Sequence, residues 1–323
     1  MTTAEALAAT DEWFLAHGLS YFVPEKRADV RNALRLKRTV PLVLVVALLA
    51  TAAGVALAVY SEEFSAAPAT LVSFGLLAAA WYALTALHAR QIVAWALART
   101  FGGLRFLLPM TTRALPLLLL AITFLFINTE MWQVGGNLAI GSLWLVVVLF
   151  ATLAVGFLLV RLPEEVDRAD DDVDETFLVR ACRGTPLEEA CLELVADPDA
   201  DPASHAEVTG YERWNLILVL MIVQVAQVLL LSLSVFAFLF LFGSIIMTDP
   251  VMIAWQTEPT FTPSRALVQV STFLAAFSGL YLTVSTMTDE AYRAQFFGSV
   301  TRELERAVGV RAVYLTLRAR SSE

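Results

Sequence analysis

The stretch from Asn215 to Met247, NLILVLMIVQVAQVLLLSLSVFAFLFLFGSIIM, holds 33 residues without a single charge. A helix crosses the roughly 30 Å hydrocarbon core of a bilayer with about 20 apolar residues. At 1.5 Å per residue this run would reach about 50 Å. It must tilt, kink near Gly243 or project beyond the membrane, and projection into the 243–264 region is expected. Shorter apolar runs recur along the chain, and hydrophobic residues make up 58% of its 323 positions, against about 45–50% in soluble domains. The expected fold is all-α: a polytopic membrane protein with six transmembrane helices, at about 40–60, 70–88, 112–129, 137–160, 215–245 and 265–286, accompanied by cytoplasmic amphipathic helices. The short alternating segments of a membrane barrel are missing.

Charge sets the orientation. Lys26, Arg27, Arg31, Arg35, Lys37 and Arg38 crowd the approach to the first run, four arginines and no acid occupy 88–113, and six arginines follow the last run. Basic flanks stay in the cytoplasm, and six crossings place all three segments there, so both termini are expected inside. The opposite loops are short and carry Glu62, Glu63, Glu130, Asp249 and Glu258. Trp132 and Trp255 suit an interfacial aromatic belt on that side. No signal-peptide pattern opens the sequence, and the expected location is the plasma membrane of a bacterium.

The chain divides into N-terminal cytoplasmic helices (1–39), spans one to four (40–160), an acidic cytoplasmic insertion (161–213), spans five and six (214–288) and an amphipathic tail (289–323). Residues 4–17 read as a short helix, and 25–38 as a basic helix started by Pro24. Trp13, Phe14, Tyr21 and Phe22 cluster around Gly18. Beside basic residues they suit a headgroup-level anchor, and packing against the protein's own cytoplasmic face suits them equally. Residues 291–310 read as an amphipathic helix, while the alternation in VRAVYLTLRAR (310–320) admits a strand. TPLEEACLELVAD (185–197) reads as a helix capped by Thr185 with Glu188 three residues on. Cys182 and Cys191 lie in a polar loop placed in the cytoplasm, where a disulfide is not expected, and no partner cysteine or histidine stands at metal spacing, so two free thiols are expected. DPDADP (197–202) fails as a calcium loop, with Pro202 where glycine is needed and Val208 where glutamate is needed.

Two polar stripes interrupt the apolar runs. Gln224, Gln227 and Ser234 share a helical face. Gln269, Thr272, Ala276, Gly279, Thr283 and Thr286 repeat at spacings of three and four, all small or polar. Such stripes let helices approach and hydrogen-bond across a dry contact; facing one another, they could also line a hydrated pathway. No Asp, Glu, Lys or Arg falls mid-span, which counts against proton-coupled transport. Motifs of intramembrane serine proteases, HExxH sites, P-loops, kinases, potassium filters and voltage sensors are missing as well. No catalytic residue, metal or cofactor is expected, and with a net charge of −9 no nucleic-acid partner.

EWFLAHGLSYFVPEKR (12–27), RALPLLLLAITFLFINTEMWQV (113–134) and GLYLTVSTMTDEAYRAQFF (279–297) together resemble a group of conserved actinobacterial integral membrane proteins of unknown function. The resemblance implies a bacterial plasma-membrane location and carries over no functional residue. The expected function is non-enzymatic: a membrane scaffold whose cytoplasmic face engages a protein partner or the lipid surface. The rival is an oligomeric channel or small transporter with its pathway between spans five and six.

Overall fold

The computed structural model describes residues 2–102, 129–170, 173–246, 250, 265–288 and 290–322. Among them twelve α-helices are formed: α1 (Thr3–Ala16), α2 (Pro24–Ala33), α3 (Leu36–Ser61), α4 (Ala66–Ala86), α5 (Ala89–Gly102), α6 (Thr129–Asn137), α7 (Ile140–Asp170), α8 (Glu175–Cys182), α9 (Glu188–Ala196), α10 (Gly210–Ile246), α11 (Arg265–Thr288) and α12 (Glu290–Ser322). Five are long and apolar enough to cross a membrane: α3, α4, most of α7, α10 and most of α11. The run expected at 112–129 falls, apart from Thr129, outside the described residues, as does Trp255.

α1, α2, α5, α8, α9, α12 and the ends of α7 and α10 build a cap at one end of the spans. Local chemistry starts and stops its first helix. Thr2 and Glu5 form a reciprocal capping box at the head of α1. At its tail Gly18 takes a positive φ of 72°, the Leu19 N–H donates to the Phe14 carbonyl at 2.8 Å and the Gly18 N–H to that of Leu15 at 3.3 Å. This is a Schellman stop. Gly18 also lies against α5, where a Cβ would come within 3.1 Å of Trp95 Cβ. α1 is thereby turned so that Phe14 and the following Ser20–Phe22 turn face inward.

One apolar core runs through the cap and into the spans. Phe14 and Phe22 meet Leu162 and Val166 of α7, Leu216 and Leu220 of α10, and Val308 and Val313 of α12. α7 and α10 therefore anchor the cap, because the same helices that cross the membrane continue into its core. α10 begins at Gly210, ahead of the uncharged run, and Glu212, Asn215 and Leu216 are buried there. The expected projection into 243–264 falls, beyond Ile246 and apart from Pro250, outside the described residues. α10 ends at Ile246.

Three other expectations change. The basic segment 25–38 is not one helix: α2 stops at Ala33, Arg35 is extended and α3 begins at Leu36. The chain must turn there from the cap into a span, and the Tyr82 hydroxyl donates to the carbonyl of Ala33 at 2.6 Å. The 310–320 stretch continues α12 and is no strand. Val310, Ala312 and Val313 are all buried, so α12 is enclosed on several sides and its local alternation does not mark a two-sided sheet. Trp132 is buried against Leu239, Leu267 and Val270 and is not an interfacial residue.

Candidate functional site

The two polar stripes meet over part of their length. Gln224 is buried and donates through Nε2 to Thr286 Oγ1 at 3.0 Å, and Thr286 donates onward to the Thr283 carbonyl at 3.0 Å. Thr283 Oγ1 returns a hydrogen bond to the Gly279 carbonyl at 2.8 Å. Gly279 closes the contact, since a Cβ built on it would stand 2.5 Å from Ser232 Oγ and 3.4 Å from Val228 Cγ1. Gln224, Gly279, Thr283 and Thr286 thus form one α10–α11 seam.

The rest of the stripes diverges. Gln269 is buried but turns to the α6–α7 junction, where Nε2 donates to the Leu138 carbonyl at 2.9 Å. Ser234 is exposed and bonds its own helix at Leu230, and Thr272 likewise bonds Val268. Ala276 is half-buried. Gln227 is half-buried too, and its Oε1 has no hydrogen-bond partner among the described residues; Gln269 Oε1 and Ser271 Oγ share that condition. On another side of α10 an open apolar groove of about 390 Å³ runs between Leu97, Val155, Met221 and Leu233. Neither glutamine of α10 lines it.

The seam fixes a prediction. Gly279→Leu must displace Val228 and Ser232 as well as fill their space, and overpacking costs about 1–3 kcal/mol. Thermal unfolding of the purified protein in mild detergent should show the loss, with Gly279→Ala much closer to the parent because Ser232 Oγ can rotate away. Equal melting of all three proteins would refute tight packing at this seam.

The second concentration of polar chemistry lies in the cap. Glu212, in the first turn of α10, is 4% exposed. One carboxylate oxygen pairs with Arg27 of α2, and the other accepts from Arg311 Nε of α12 at 2.5 Å. Arg311 Nη1 also donates to the carbonyls of His205 and Glu207 at 2.7 and 3.1 Å. Arg27 Nε and Nη2 donate to the carbonyls of Tyr21 and Phe22 at 3.0 and 3.2 Å. One helical turn on, the Asn215 side chain accepts from the Tyr21 N–H at 2.7 Å and donates to the Gly18 carbonyl at 2.9 Å. Glu212 and Asn215 thus join the N-terminal segment to a span, and Glu212 adds the C-terminal helix.

Phe14, Tyr21 and Phe22 are buried in this assembly, and Trp13 is half-buried. Phe14 meets Tyr314 edge-on with centroids 5.5 Å apart, and the Tyr314 hydroxyl donates to Asp11 Oδ1 at 2.9 Å. Trp13 stacks on His17 at 4.0 Å and carries Arg306 over its ring. The Tyr21 hydroxyl donates to the Leu87 carbonyl at 2.8 Å. Burial pushes the Tyr21 and Tyr314 phenols up to about 12, so both remain donors at neutral pH. Burial also raises the Asp11 carboxyl, against the opposing pull of the Tyr314 hydrogen bond.

Cys182 and Cys191 are free and buried side by side in α8 and α9. The neighbouring Cys191 thiol, with burial, pushes Cys182 upward and keeps it protonated, which suppresses thiolate reactivity. α9 starts only at Glu188; Thr185 accepts from the Leu187 N–H, and Glu188 accepts from Gly184. Among the described residues no group of three or more His, Cys, Asp or Glu side chains is placed to hold a metal ion.

Sequence reasoning did not single out Glu212, Asn215 or Arg311. Their signals were present: an acid and an amide three residues apart at the head of a long apolar run, and a lone arginine inside VGVRAVY. No protein-family model, curated protein or solved structure matches this chain.

Proposed function

We propose that this multi-pass membrane protein is a non-enzymatic scaffold of the bacterial plasma membrane. It presents a cytoplasmic helical platform, built from both termini and the 161–213 insertion, to a protein partner. The observation that carries this reading is the single core shared by α1, α8, α9 and α12 with the ends of α7 and α10. A chain that only needed to cross the membrane has no use for three remote segments packed and ion-paired at one end. The pattern of basic flanks and the resemblance to actinobacterial membrane proteins support the location and orientation. The contact of Asp11 in the N-terminal segment with Tyr314 in the C-terminal one supports an even number of crossings, in keeping with the six-span reading of the sequence.

The platform is tested by photo-crosslinking in cells from Val179 on α8 and Leu192 on α9, both exposed apolar side chains. A discrete heavier protein adduct from this face is expected, and its absence at both positions would overturn the reading.

The rival, a pathway along α10 and α11, draws on the unpartnered buried oxygens of Gln227 and Ser271. Single cysteines at Gln224, Gln227, Thr272, Ala276 and Gly279, treated in intact cells with a small charged thiol reagent, separate the two. The scaffold predicts that buried positions 224 and 279 stay unlabelled. Rapid labelling along both stripes would mean that water reaches the seam, and the scaffold reading would be dropped. Buried Cys182 and Cys191 should contribute little background until the protein is denatured.

A further inference from the structure

We propose that the crevice between α2, the start of α3 and the end of α4 binds the phosphate of an anionic phospholipid headgroup. It encloses about 500 Å³ and is lined by Asp29, Asn32, Ala33, Arg35, Arg38 and Ala86. This inference is independent of the platform reading and needs only that α3 and α4 span the membrane.

Charge makes the first argument. Arg27, Arg99, Arg161, Arg168, Arg213, Arg311 and Arg320 are each committed to an acid. Arg35 and Arg38 are exposed, and neither guanidinium has an ion pair or side-chain hydrogen bond among the described residues. Asp29, the one acid lining the crevice, faces His88 Nε2 at 3.5 Å. The crevice therefore holds two uncommitted guanidiniums against one carboxylate. Asn32 adds an amide donor. Arginine forks suit phosphate oxygens through paired N–H donors. The first N–H groups of α3 add to this field, because Arg35 at its head supplies no side-chain cap.

Position makes the second argument. α3 has 26 residues, about 39 Å of helix, which exceeds the roughly 30 Å hydrocarbon core. Its first turn, which carries Lys37 and Arg38, suits headgroup level. On the face of α3 that carries Arg38, Leu42, Val45 and Leu49 are exposed. A free phosphate has no use for that apolar strip. A diacyl lipid fills both parts, with its phosphate between the arginines and its chains along the helix.

The fold supports the geometry without depending on the arginines. Tyr82 holds the end of α2 through the Ala33 carbonyl, so the crevice walls persist when Arg35 and Arg38 are changed. The full-length protein in detergent is titrated with phosphatidylglycerol or with phosphatidylcholine of the same chains, and adducts are counted by native mass spectrometry. Phosphatidylglycerol should be preferred by about tenfold or more, with that preference lost in the Arg35→Gln, Arg38→Gln double variant. Lys37→Gln, a neighbouring charge outside the crevice, should leave binding unchanged. The single Arg38→Gln variant, expected to lose part of the preference, serves if the double variant misfolds. Equal binding of the two lipids, or binding indifferent to the arginine substitutions, would overturn the proposal. Displacement by millimolar inorganic phosphate as complete as by phosphatidylglycerol would mark a free-anion site and overturn the lipid assignment.

Discussion

Glu212→Ala should destabilise the cap by about 3–5 kcal/mol, the usual cost of breaking a buried ion pair from one side. The carboxylate meets two guanidiniums whose exposure differs. The Arg311 side chain is 9% exposed and that of Arg27 is 29% exposed. Without Glu212, Arg27 can swing towards water, whereas Arg311 stays enclosed and keeps only its bonds to the His205 and Glu207 carbonyls. Those bonds soften the loss and place it near the lower end of the range. Glu212→Gln should fall between parent and alanine, because one amide oxygen still accepts while the amide N–H₂ faces a guanidinium. Thermal unfolding in mild detergent reads the loss, and trypsin cleavage at Arg318 and Arg320 reads release of α12. A double-mutant cycle should couple Glu212 more strongly to Arg311 than to Arg27. A Glu212→Ala protein that melts with the parent and keeps its tail protected would remove the triad from any account of cap stability.

The triad also shows why part of this molecule was readable in advance and part was not. Apolar runs of twenty residues have few places to go, so the spans α3, α4, α7, α10 and α11 followed from hydropathy. Across the α10–α11 contact Gln224 meets Thr286, and Gly279 lies against Ser232 and Val228. The stripe then fails at Gln269, because α11 packs against α6, α7 and α10 and a single row of small residues cannot say which neighbour each position faces. Enclosure also hid the end of α12. Burial on several sides erased the 3.6-residue period that would have marked residues 310–316 as helix. The burial of the head of α10 was not legible either: a buried acid and amide need partners, and those of Glu212 and Asn215 lie nearly two hundred residues upstream and ninety-nine downstream.

Phe14→Ala should cost about 3–5 kcal/mol, the range for removing a fully buried aromatic ring. Phe14 is 0% exposed. Its ring lies 5.3 Å from Phe22 and 5.5 Å from Tyr314 by centroids, so truncation opens a void shared by α1, the turn after it and α12. The Schellman stop at Gly18 fixes the path of the chain there, which limits collapse into the void and keeps the cost high. Asp11–Tyr314 remains to hold α1 on α12, so the two should loosen without separating. The consequence divides the two roles open to this aromatic cluster. A residue that packs the cap shut should, when truncated, lower the melting temperature and expose α12 to trypsin in detergent, with no bilayer present. A headgroup anchor should instead leave both unchanged in detergent and act only when lipid is supplied. Trp13→Ala is the internal comparison: its ring is half-buried beneath Arg306, so it should lose less than Phe14→Ala. Equal losses at the two positions would mean that enclosure by α12 is not what holds Phe14.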